Sequence, residues 1–195
     1  MDKCKKCRKF GAKLFLKGER CISPKCAFTR RNYLPGAHGA KKNIRKSEYG
    51  LQLIEKQKAK AEYGLREREF VNILKKASRS KENTGEELLR LLELRLDNII
   101  YRIGWADSRA QARQIVSHKN IILNSKPINI PSITLKKDDK ITVVKKDVLK
   151  PNKVTLPKWI KQDSKSLNIE ILRLPNREEI ETDLDEQKIL EFYSR

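Results

Sequence analysis

Apolar side chains recur at spacings of three and four residues between residues 47 and 118, which is the period of amphipathic helices. This pattern predicts four helices, over residues 47–63, 70–77, 84–103 and 108–118. Capping boxes begin at Thr84 and at Ser108, so they mark the starts of the third and fourth helices. Gly64 and Gly104 follow the first and third helices, at positions where glycine commonly ends a helix.

The apolar period changes to two after residue 118. Three short runs, at residues 121–123, 128–133 and 141–144, are separated by polar turns at residues 124–126 and 136–139. They predict a small sheet beside two helices, so the expected fold class is α+β. Residues 154–160, residues 169–174 and the terminal DEQKILEFYSR carry weaker patterns. Residues 176–195 hold 7 acidic and 3 basic residues, so this end is predicted to pack on the protein or on a protein neighbour.

The chain carries a large positive charge: 45 of its 195 residues are Lys or Arg and 25 are Asp or Glu, a formal net charge of +20. Such a surplus repels itself in a compact protein unless a polyanion neutralises it, and nucleic acid is the common polyanion. A membrane partner would need an amphipathic anchor, a lipidation signal or an apolar span of about 20 residues, and the sequence offers none. It also lacks a secretory signal, so we predict a cytoplasmic protein with no membrane partner.

All four cysteines lie within residues 4–26, as two close pairs. Cys4 and Cys7 are separated by two residues, Cys21 and Cys26 by four, and 13 residues join the pairs. Because cytosolic thiols stay reduced, this spacing predicts a tetrahedral four-thiolate site for one structural Zn²⁺. Lysines and arginines crowd the sulfurs and would offset the negative charge of such a site. Four unrelated thiols and an iron–sulfur cluster are the alternatives.

The segment TRRNYLPGAHGAKKNIRKSEYG, residues 29–50, is called the basic arm below. It belongs to a stretch of 50 residues with 15 basic and 3 acidic side chains, and its proline and glycines favour turns over a buried core. It is either a disordered arm or an extended segment that RNA orders. The interleaved rings of Tyr33, His38 and Tyr49, which could stack on bases, favour the second interpretation.

The stretch LELRLDNIIYRIGWADSRAQARQ carries a second group of positive charges. Arg109, Gln111 and Arg113 lie within two turns of a helix N-terminus, whose free amides attract phosphate. Arg95 and Arg102 lie about two turns apart on the preceding predicted helix. These arginines are either a solvated face or one basic face presented to folded RNA, and the net charge favours RNA.

Arg95-Leu96-Asp97 also resembles the short motif with the catalytic aspartate of pseudouridine synthases, some of which carry a small basic RNA-binding domain. Those enzymes need a whole catalytic domain around the aspartate, for which no sequence remains. We find no nucleophile triad, glycine-rich phosphate loop or paired-carboxylate cleft. We therefore predict a non-enzymatic RNA binder with no small-molecule substrate. A pseudouridine synthase-like enzyme and a zinc-containing regulator that acts alone are the alternatives.

Four stretches carry a family resemblance: RRNYLPGAHG, SEYGLQLIEKQK, residues 83–132, and the ending ILEFYSR. They resemble small-subunit ribosomal protein S4 of bacteria and organelles, in the form that keeps the four-cysteine zinc site. The resemblance implies a zinc-binding, basic, RNA-contacting part at residues 1–46 and a helical domain at residues 47–87 with the C-terminal segment at residues 150–195. It also implies an inserted RNA-binding module, two helices and a small sheet, at residues 88–149.

The resemblance further implies a primary binder of small-subunit ribosomal RNA, at a junction of its five-prime domain, that nucleates assembly of the subunit body. It implies contact with the fifth small-subunit protein, an influence on decoding accuracy, and a place along the channel through which messenger RNA enters. Lys41, Lys42 and Arg45 match the family's basic cluster at that channel. Together, the residues predicted to bind RNA are Arg30, Arg31, Tyr33, His38, Lys41, Lys42, Arg45, Tyr49, Arg95, Arg102, Ser108, Arg109, Gln111, Arg113, His118 and Lys119.

Overall fold

The computed structural model describes residues 2–41, 45–145, 149, 154–163 and 167–194. The chain divides into two units: the first comprises Met1–Val71 and Asp183–Arg195, and the second comprises Asn72–Thr182. Helices and a small antiparallel sheet make up the fold, as the sequence predicts. None of the helices in the described ranges is long and apolar enough to span a membrane.

The helices of the first unit lie at both ends of the chain. They are α1 (Lys3–Phe10), α2 (Glu19–Ile22), α3 (Ala27–Arg30), α4 (Glu48–Tyr63), the start of α5 (Glu67–Ala77) and α9 (Glu186–Tyr193), with a short 3₁₀ turn at Gly39–Lys41. Ser47 caps the start of α4 by accepting the amide hydrogen of Gly50, and Gly64 ends it in the left-handed conformation. Both ends of α4 are therefore where the sequence predicts them.

Helix α9 packs along α4, in agreement with the expectation that the acidic end packs on the protein. The Glu67 carboxylate links α4 to α9. It accepts hydrogen bonds from Lys56 Nζ at 3.0 Å and Lys60 Nζ at 2.5 Å, both on α4, and from Tyr193 Oη on α9 at 2.6 Å. Burial raises the pKa of Glu67, but these three donors outweigh burial and hold it at about 2. Burial and the bond to Glu67 raise the pKa of Tyr193.

The second unit packs helices against a five-stranded sheet. Its helices are the end of α5, α6 (Thr84–Glu93), α7 (Leu96–Arg102) and α8 (Arg109–Ser117), with a 3₁₀ turn at Arg177–Glu179. Its strands are β1 (Ile121–Leu123), β2 (Lys126–Ile128), β3 (Lys140–Val143), β4 (Ile160–Gln162) and β5 (Ile169–Ile171). They are antiparallel neighbours in the order β2-β1-β3-β5-β4. The core includes Leu96, Ile99, Trp105, Val116, Ile121, Ile141, Trp159 and Ile169.

The third predicted helix is two helices, and this corrects the prediction of one continuous helix over residues 84–103. The chain is extended at Arg95, where it forms a bridge with Thr134. The amide of Leu96 donates to the carbonyl of Ile133 at 2.9 Å, and the amide of Leu135 donates to the carbonyl of Leu94 at 2.8 Å. These bonds replace helical ones, so α6 ends and α7 begins without leaving the backbone unpaired. The cap of α6 is Asn83 rather than Thr84.

The sheet differs from the prediction at two places. Asn124 and Ser125 have φ of 47° and 69°, typical of a tight two-residue hairpin turn, so β2 begins at Lys126 and residues 129–133 are not a strand. Strands β4 and β5, which the sequence pattern did not assign to the sheet, extend it beyond β3. The predicted boundaries of the three functional parts stay a prediction, because the two units are defined by contacts alone.

Candidate nucleic-acid interface

Arg95 is buried and does not present its charge on a surface. It is 3% exposed, and Asp97 is 4% exposed. Its Nε donates to Asp97 Oδ1 at 3.1 Å and its Nη2 donates to Oδ2 at 2.8 Å. The prediction that Arg95 belongs to an exposed basic face is wrong, because Asp97 takes up the guanidinium in a buried two-point ion pair.

Arg102 is also paired with an internal carboxylate. Its Nε and Nη2 donate to the two carboxylate oxygens of Glu93 at 2.9 and 3.0 Å, and Glu93 is 2% exposed. Arg102 Nη2 also donates to the carbonyl of Glu181 at 3.1 Å. Arg102 lines a cleft whose walls include Glu178, Glu179 and Glu181. An acidic cleft repels phosphate, so the surroundings of Arg102 do not favour the predicted RNA contact.

Of the four arginines predicted to form one basic face, the two on α8 are partly exposed and lie outside the cleft of Arg102. Arg113 has a side chain that is 39% exposed, and its Nη1 lies 4.0 Å from Asp97 Oδ2. Arg109 is half-buried: its Nε donates to Asn98 Oδ1 at 2.8 Å, and its guanidinium lies 4.7 Å from the centre of the Tyr101 ring. The Arg109 guanidinium is therefore held in place before any ligand binds, which lowers the entropy lost on binding, whereas the ion pair of Arg113 with Asp97 is long and partly exposed.

Ser108 and Gln111 form the cap of α8. Ser108 Oγ accepts the amide hydrogen of Gln111 at 3.4 Å, as the capping box predicts. In a capping box the Gln111 side chain would also accept the amide hydrogen of Ser108. It accepts the amide hydrogen of Asp107 instead, at 3.0 Å, one residue earlier in the chain. At the other end of α8, His118 and Lys119 are exposed, and Lys119 has a positive φ of 59°. The exposed end of α8 agrees with the predicted RNA contacts there.

The basic arm is tied to α1 in its first part. Arg8 Nε and Nη2 donate to the carbonyls of Tyr33 and Leu34 at 2.9 and 3.0 Å, and the Arg8 guanidinium lies 4.7 Å from the centre of the Tyr33 ring. A Cβ atom placed on Gly39 would lie 1.8 Å from the carbonyl oxygen of Leu34, so only glycine fits this turn. Part of the arm therefore has a defined conformation without RNA.

The other predicted arm residues are mostly at the surface. Arg30, Arg31, His38 and Arg45 are exposed. Tyr49 is 50% exposed, and its ring packs against Phe192 of α9 with the ring centres 5.6 Å apart. The Lys41 side chain and the whole of Lys42 lie outside the described residues.

Sequence reasoning missed three kinds of residue at this interface. Arg8 positions the arm, Glu93 and Asn98 position arginines, and none of them follows from charge runs. Exposed lysines next to turns of the second unit were also left out, although turns are common ligand-binding positions: Lys126 at the start of β2, and Lys136 and Lys137 before β3. A search for arginines near buried acidic residues could have found Glu93.

The four cysteines lie on three short helices at the start of the first unit. Cys4 and Cys7 are one turn apart on α1, Cys21 lies on α2, and Cys26 immediately precedes α3. Cys7, Cys21 and Cys26 are buried. Burial is the main cause that raises the pKa of the Cys7 thiol, and a backbone hydrogen bond from Leu14 opposes it.

The sulfurs also accept hydrogen bonds. The amide of Lys17 donates to Cys21 Sγ at 3.3 Å. Burial raises the pKa of Cys26, but backbone amides of Thr29 and Phe28 outweigh burial and lower the pKa overall, so they favour the thiolate. Within the described ranges, no three His, Cys, Asp or Glu side chains are already arranged as a metal site. The zinc prediction therefore stays a prediction.

Comparison with known proteins decides the family. Residues 1–93 match the model of the ribosomal protein S4/S9 N-terminal domain, and residues 94–141 match the S4 domain. The chain is 50% identical over 200 residues to small ribosomal subunit protein uS4 of Dictyoglomus turgidum, covering 98% of this chain and 96% of that protein. The chain belongs to the uS4 family of ribosomal proteins.

Other uS4 relatives agree. The chain is 48% identical over 200 residues to uS4 of Dictyoglomus thermophilum and 44% identical over 201 residues to uS4 of Natranaerobius thermophilus, in both cases covering 98% of this chain and 96% of the relative. The resemblance to ribosomal protein S4 drawn from the sequence motifs is thus confirmed, and the zinc-binding form of the family stays a prediction. The boundary between the two uS4 family models falls at the break between α6 and α7.

Proposed function

We propose that this chain binds small-subunit ribosomal RNA through the outer surface of α8 and through the basic arm. As a member of the uS4 family it is a structural constituent of the small ribosomal subunit, not an enzyme, and it is located with the ribosome in the cytoplasm. The observation that supports the proposed RNA surface is the fixed placement of Arg109 on a capped, packed helix that also carries the partly exposed Arg113. Fixed cations bind phosphate with little loss of side-chain entropy.

The finer part of the proposal rests on the family resemblance. The RNA site is a junction in the five-prime domain, binding there is early, and it nucleates assembly of the subunit body. The arm, with Lys41, Lys42 and Arg45, lies beside the messenger RNA channel, and the protein contacts the fifth small-subunit protein. The exposed position of Arg45 and the tie between Arg8 and the arm are compatible with this placement.

The pseudouridine synthase-like alternative has no support. Asp97, its would-be catalytic aspartate, is buried and paired with Arg95. Such a carboxylate cannot reach a nucleotide without unfolding its surroundings. The regulator that acts alone is likewise disfavoured, since the chain matches ribosomal proteins over nearly its whole length.

Sedimentation tests the proposed function. We expect a tagged copy in a cell lysate to sediment with the small subunit at moderate salt. An Arg109→Glu/Arg113→Glu copy should shift toward the top of the gradient, because it loses two cations and gains two like charges opposite phosphate. A wild-type copy that sediments free of the small subunit would contradict the ribosomal assignment. A double variant that sediments like the wild type would contradict the proposed surface only.

We also propose that Cys4, Cys7, Cys21 and Cys26 hold one structural Zn²⁺. The paired spacing of the cysteines, the burial of three of them and the amide bonds to Cys21 and Cys26 support this. Thiolates that already accept amide hydrogens, in a basic surrounding, fit a four-sulfur site. The metal would supply folding energy to a segment with little core of its own and would leave no open position for catalysis.

Metal analysis tests the zinc site. We expect one zinc per purified chain, retained in mild reductant and lost in Cys21→Ser. The loss should disorder roughly the first 30 residues while the second unit stays folded, because metal-binding energy is local folding energy. Ile22→Ser is the matched control, since Ile22 is the neighbouring residue and is 78% exposed. Wild-type protein that contains no zinc, or that contains iron and labile sulfide, would overturn the proposal.

A further inference from the structure

We infer that Asn98 is a positioning residue for RNA binding, which links the buried carboxylate of Glu93 to the guanidinium of Arg109. The inference deepens the proposed function and rests on it. Asn98 is neither basic nor exposed, so charge and surface position would not select it. Its role follows from the bonds at the two ends of its amide group.

The orientation of the Asn98 amide is fixed by its neighbours. Asn98 is 1% exposed, and its Nδ2 donates to both the backbone carbonyl and the carboxylate Oε2 of Glu93, at 3.0 and 2.9 Å. An ionised carboxylate and a carbonyl only accept hydrogen bonds, so a reversed amide would place its oxygen against two acceptors. The amide oxygen therefore points away from Glu93.

The amide oxygen accepts the Nε hydrogen of Arg109 at 2.8 Å. Tyr101 supports the same guanidinium on its face, with 4.7 Å between the guanidinium carbon and the ring centre. One edge and one face of the Arg109 guanidinium are thus fixed by α7 residues, although Arg109 itself belongs to α8. The link orients the arginine that the proposed function places on phosphate.

Glu93 anchors the chain of bonds at its inner end. Arg102 holds both oxygens of its carboxylate, so Glu93 cannot rotate away from Asn98 without breaking two charged hydrogen bonds. The sequence of contacts runs from Arg102 through Glu93 and Asn98 to Arg109, and it crosses α6, α7 and α8. Arg102 therefore has a structural part in this network, in place of the predicted contact with RNA.

An affinity cycle tests the inference on the full chain. The variants are Asn98→Ala, Arg109→Ala and the two combined, and the probe is a transcript of the five-prime domain junction of small-subunit ribosomal RNA. We expect Asn98→Ala to weaken binding by about tenfold, the loss of one charge-assisted hydrogen bond that orients the arginine. The combined variant should bind no more weakly than Arg109→Ala alone, because Asn98 acts through Arg109.

Two comparisons separate positioning from a merely structural role. Asn98→Ala combined with Arg113→Ala should show the sum of the two losses, since Asn98 has no bond to Arg113 in the described network. Leu88→Ala removes a fully buried side chain of α6 and leaves the bonds of Asn98 in place, so it should lose stability while the folded protein keeps its RNA affinity. A structural role would instead make affinity fall with stability in both variants.

Each outcome has one meaning. Additive losses in Asn98→Ala/Arg109→Ala would overturn the inference and leave the RNA surface standing. No loss in Arg109→Ala would overturn the proposed surface itself. If Asn98→Ala does not fold, Asn98→Ser replaces it in the cycle, because a serine hydroxyl is too short to bond both Glu93 and Arg109.

Discussion

Replacing Arg95 by Met is expected to destabilise the second unit by about 3–5 kcal/mol, the usual effect of removing one partner of a buried ion pair. Asp97 would be left at 4% exposure without its two-point partner. A loss of this size is a large part of the total stability of a small domain. Urea unfolding followed by circular dichroism measures it.

Two further variants give this result its meaning. Arg79→Met is the matched control, because Arg79 is an exposed arginine of the same unit, and it should change stability by less than about 0.5 kcal/mol. Arg95→Met/Asp97→Leu should recover much of the loss, since it also removes the unpaired carboxyl group. If Arg95→Met unfolds like the wild type and instead loses RNA affinity, Arg95 contacts RNA and the assignment of a buried structural role is wrong.

Charge reversal on α8 is expected to have the largest effect on RNA binding. Arg109→Glu or Arg113→Glu should weaken binding to the junction transcript by about 10- to 100-fold, because each removes a cation and adds a repulsive charge. Each lost phosphate contact should flatten the dependence of log affinity on log salt concentration by about one unit. Lys41→Glu should weaken binding less, since the proposed function places Lys41 beside the messenger RNA channel. Affinities measured across a salt series give both quantities.

Arg79→Glu controls for net charge in these measurements. It changes the net charge of the chain by the same amount, at an exposed arginine that lies outside α8. Equal losses in Arg79→Glu and the α8 variants would mean that the whole protein charge attracts RNA, without a defined surface. A greater loss in Lys41→Glu than in the α8 variants would mean that the two surfaces are assigned in reverse. Circular dichroism must show each variant folded, because Arg113 Nη1 lies 4.0 Å from Asp97 Oδ2.

The ends of the helices were predictable where a local signal decides them. Ser47, Gly64 and Ser108 act through bonds to residues within four positions, so the sequence carries the whole signal. The break at Arg95 was not predictable in this way. Both α6 and α7 bury their apolar residues, so the apolar stripe continues through the break, and the bonds that replace the helical ones come from residues 133–135.

The same distinction, between local bonds and bonds to distant residues, explains why the burial and pairing of the arginines were not predicted. Arg102 and Glu93 are nine residues apart, a spacing that does not bring two side chains together on one straight helix. Arg102 and Glu93 meet only because the chain turns between α6 and α7. A charge pattern interpreted as one continuous helix places Arg95 and Arg102 on the exposed face. The start of α8 was predicted correctly because one local cap, Ser108, decides it, while RNA binding by the α8 residues stays a prediction. The likeness of the motifs to ribosomal protein S4 supplied the functional class that periodicity alone could not.

The first unit is formed by the two ends of the chain, so its helices α4 and α9 are synthesised at different times. Helix α4 is complete 122 residues before α9 begins, an interval on the order of ten seconds at usual elongation rates. The second unit is synthesised entirely within that interval, so it can fold before α9, the helix that packs along α4, has been synthesised. A chain cut short before residue 186 leaves Gln52 of α4 without Glu191 and Lys56 without the Phe192 ring. Incompletely synthesised chains therefore differ from complete ones in the exposure of residues on α4, a helix near the start of the chain.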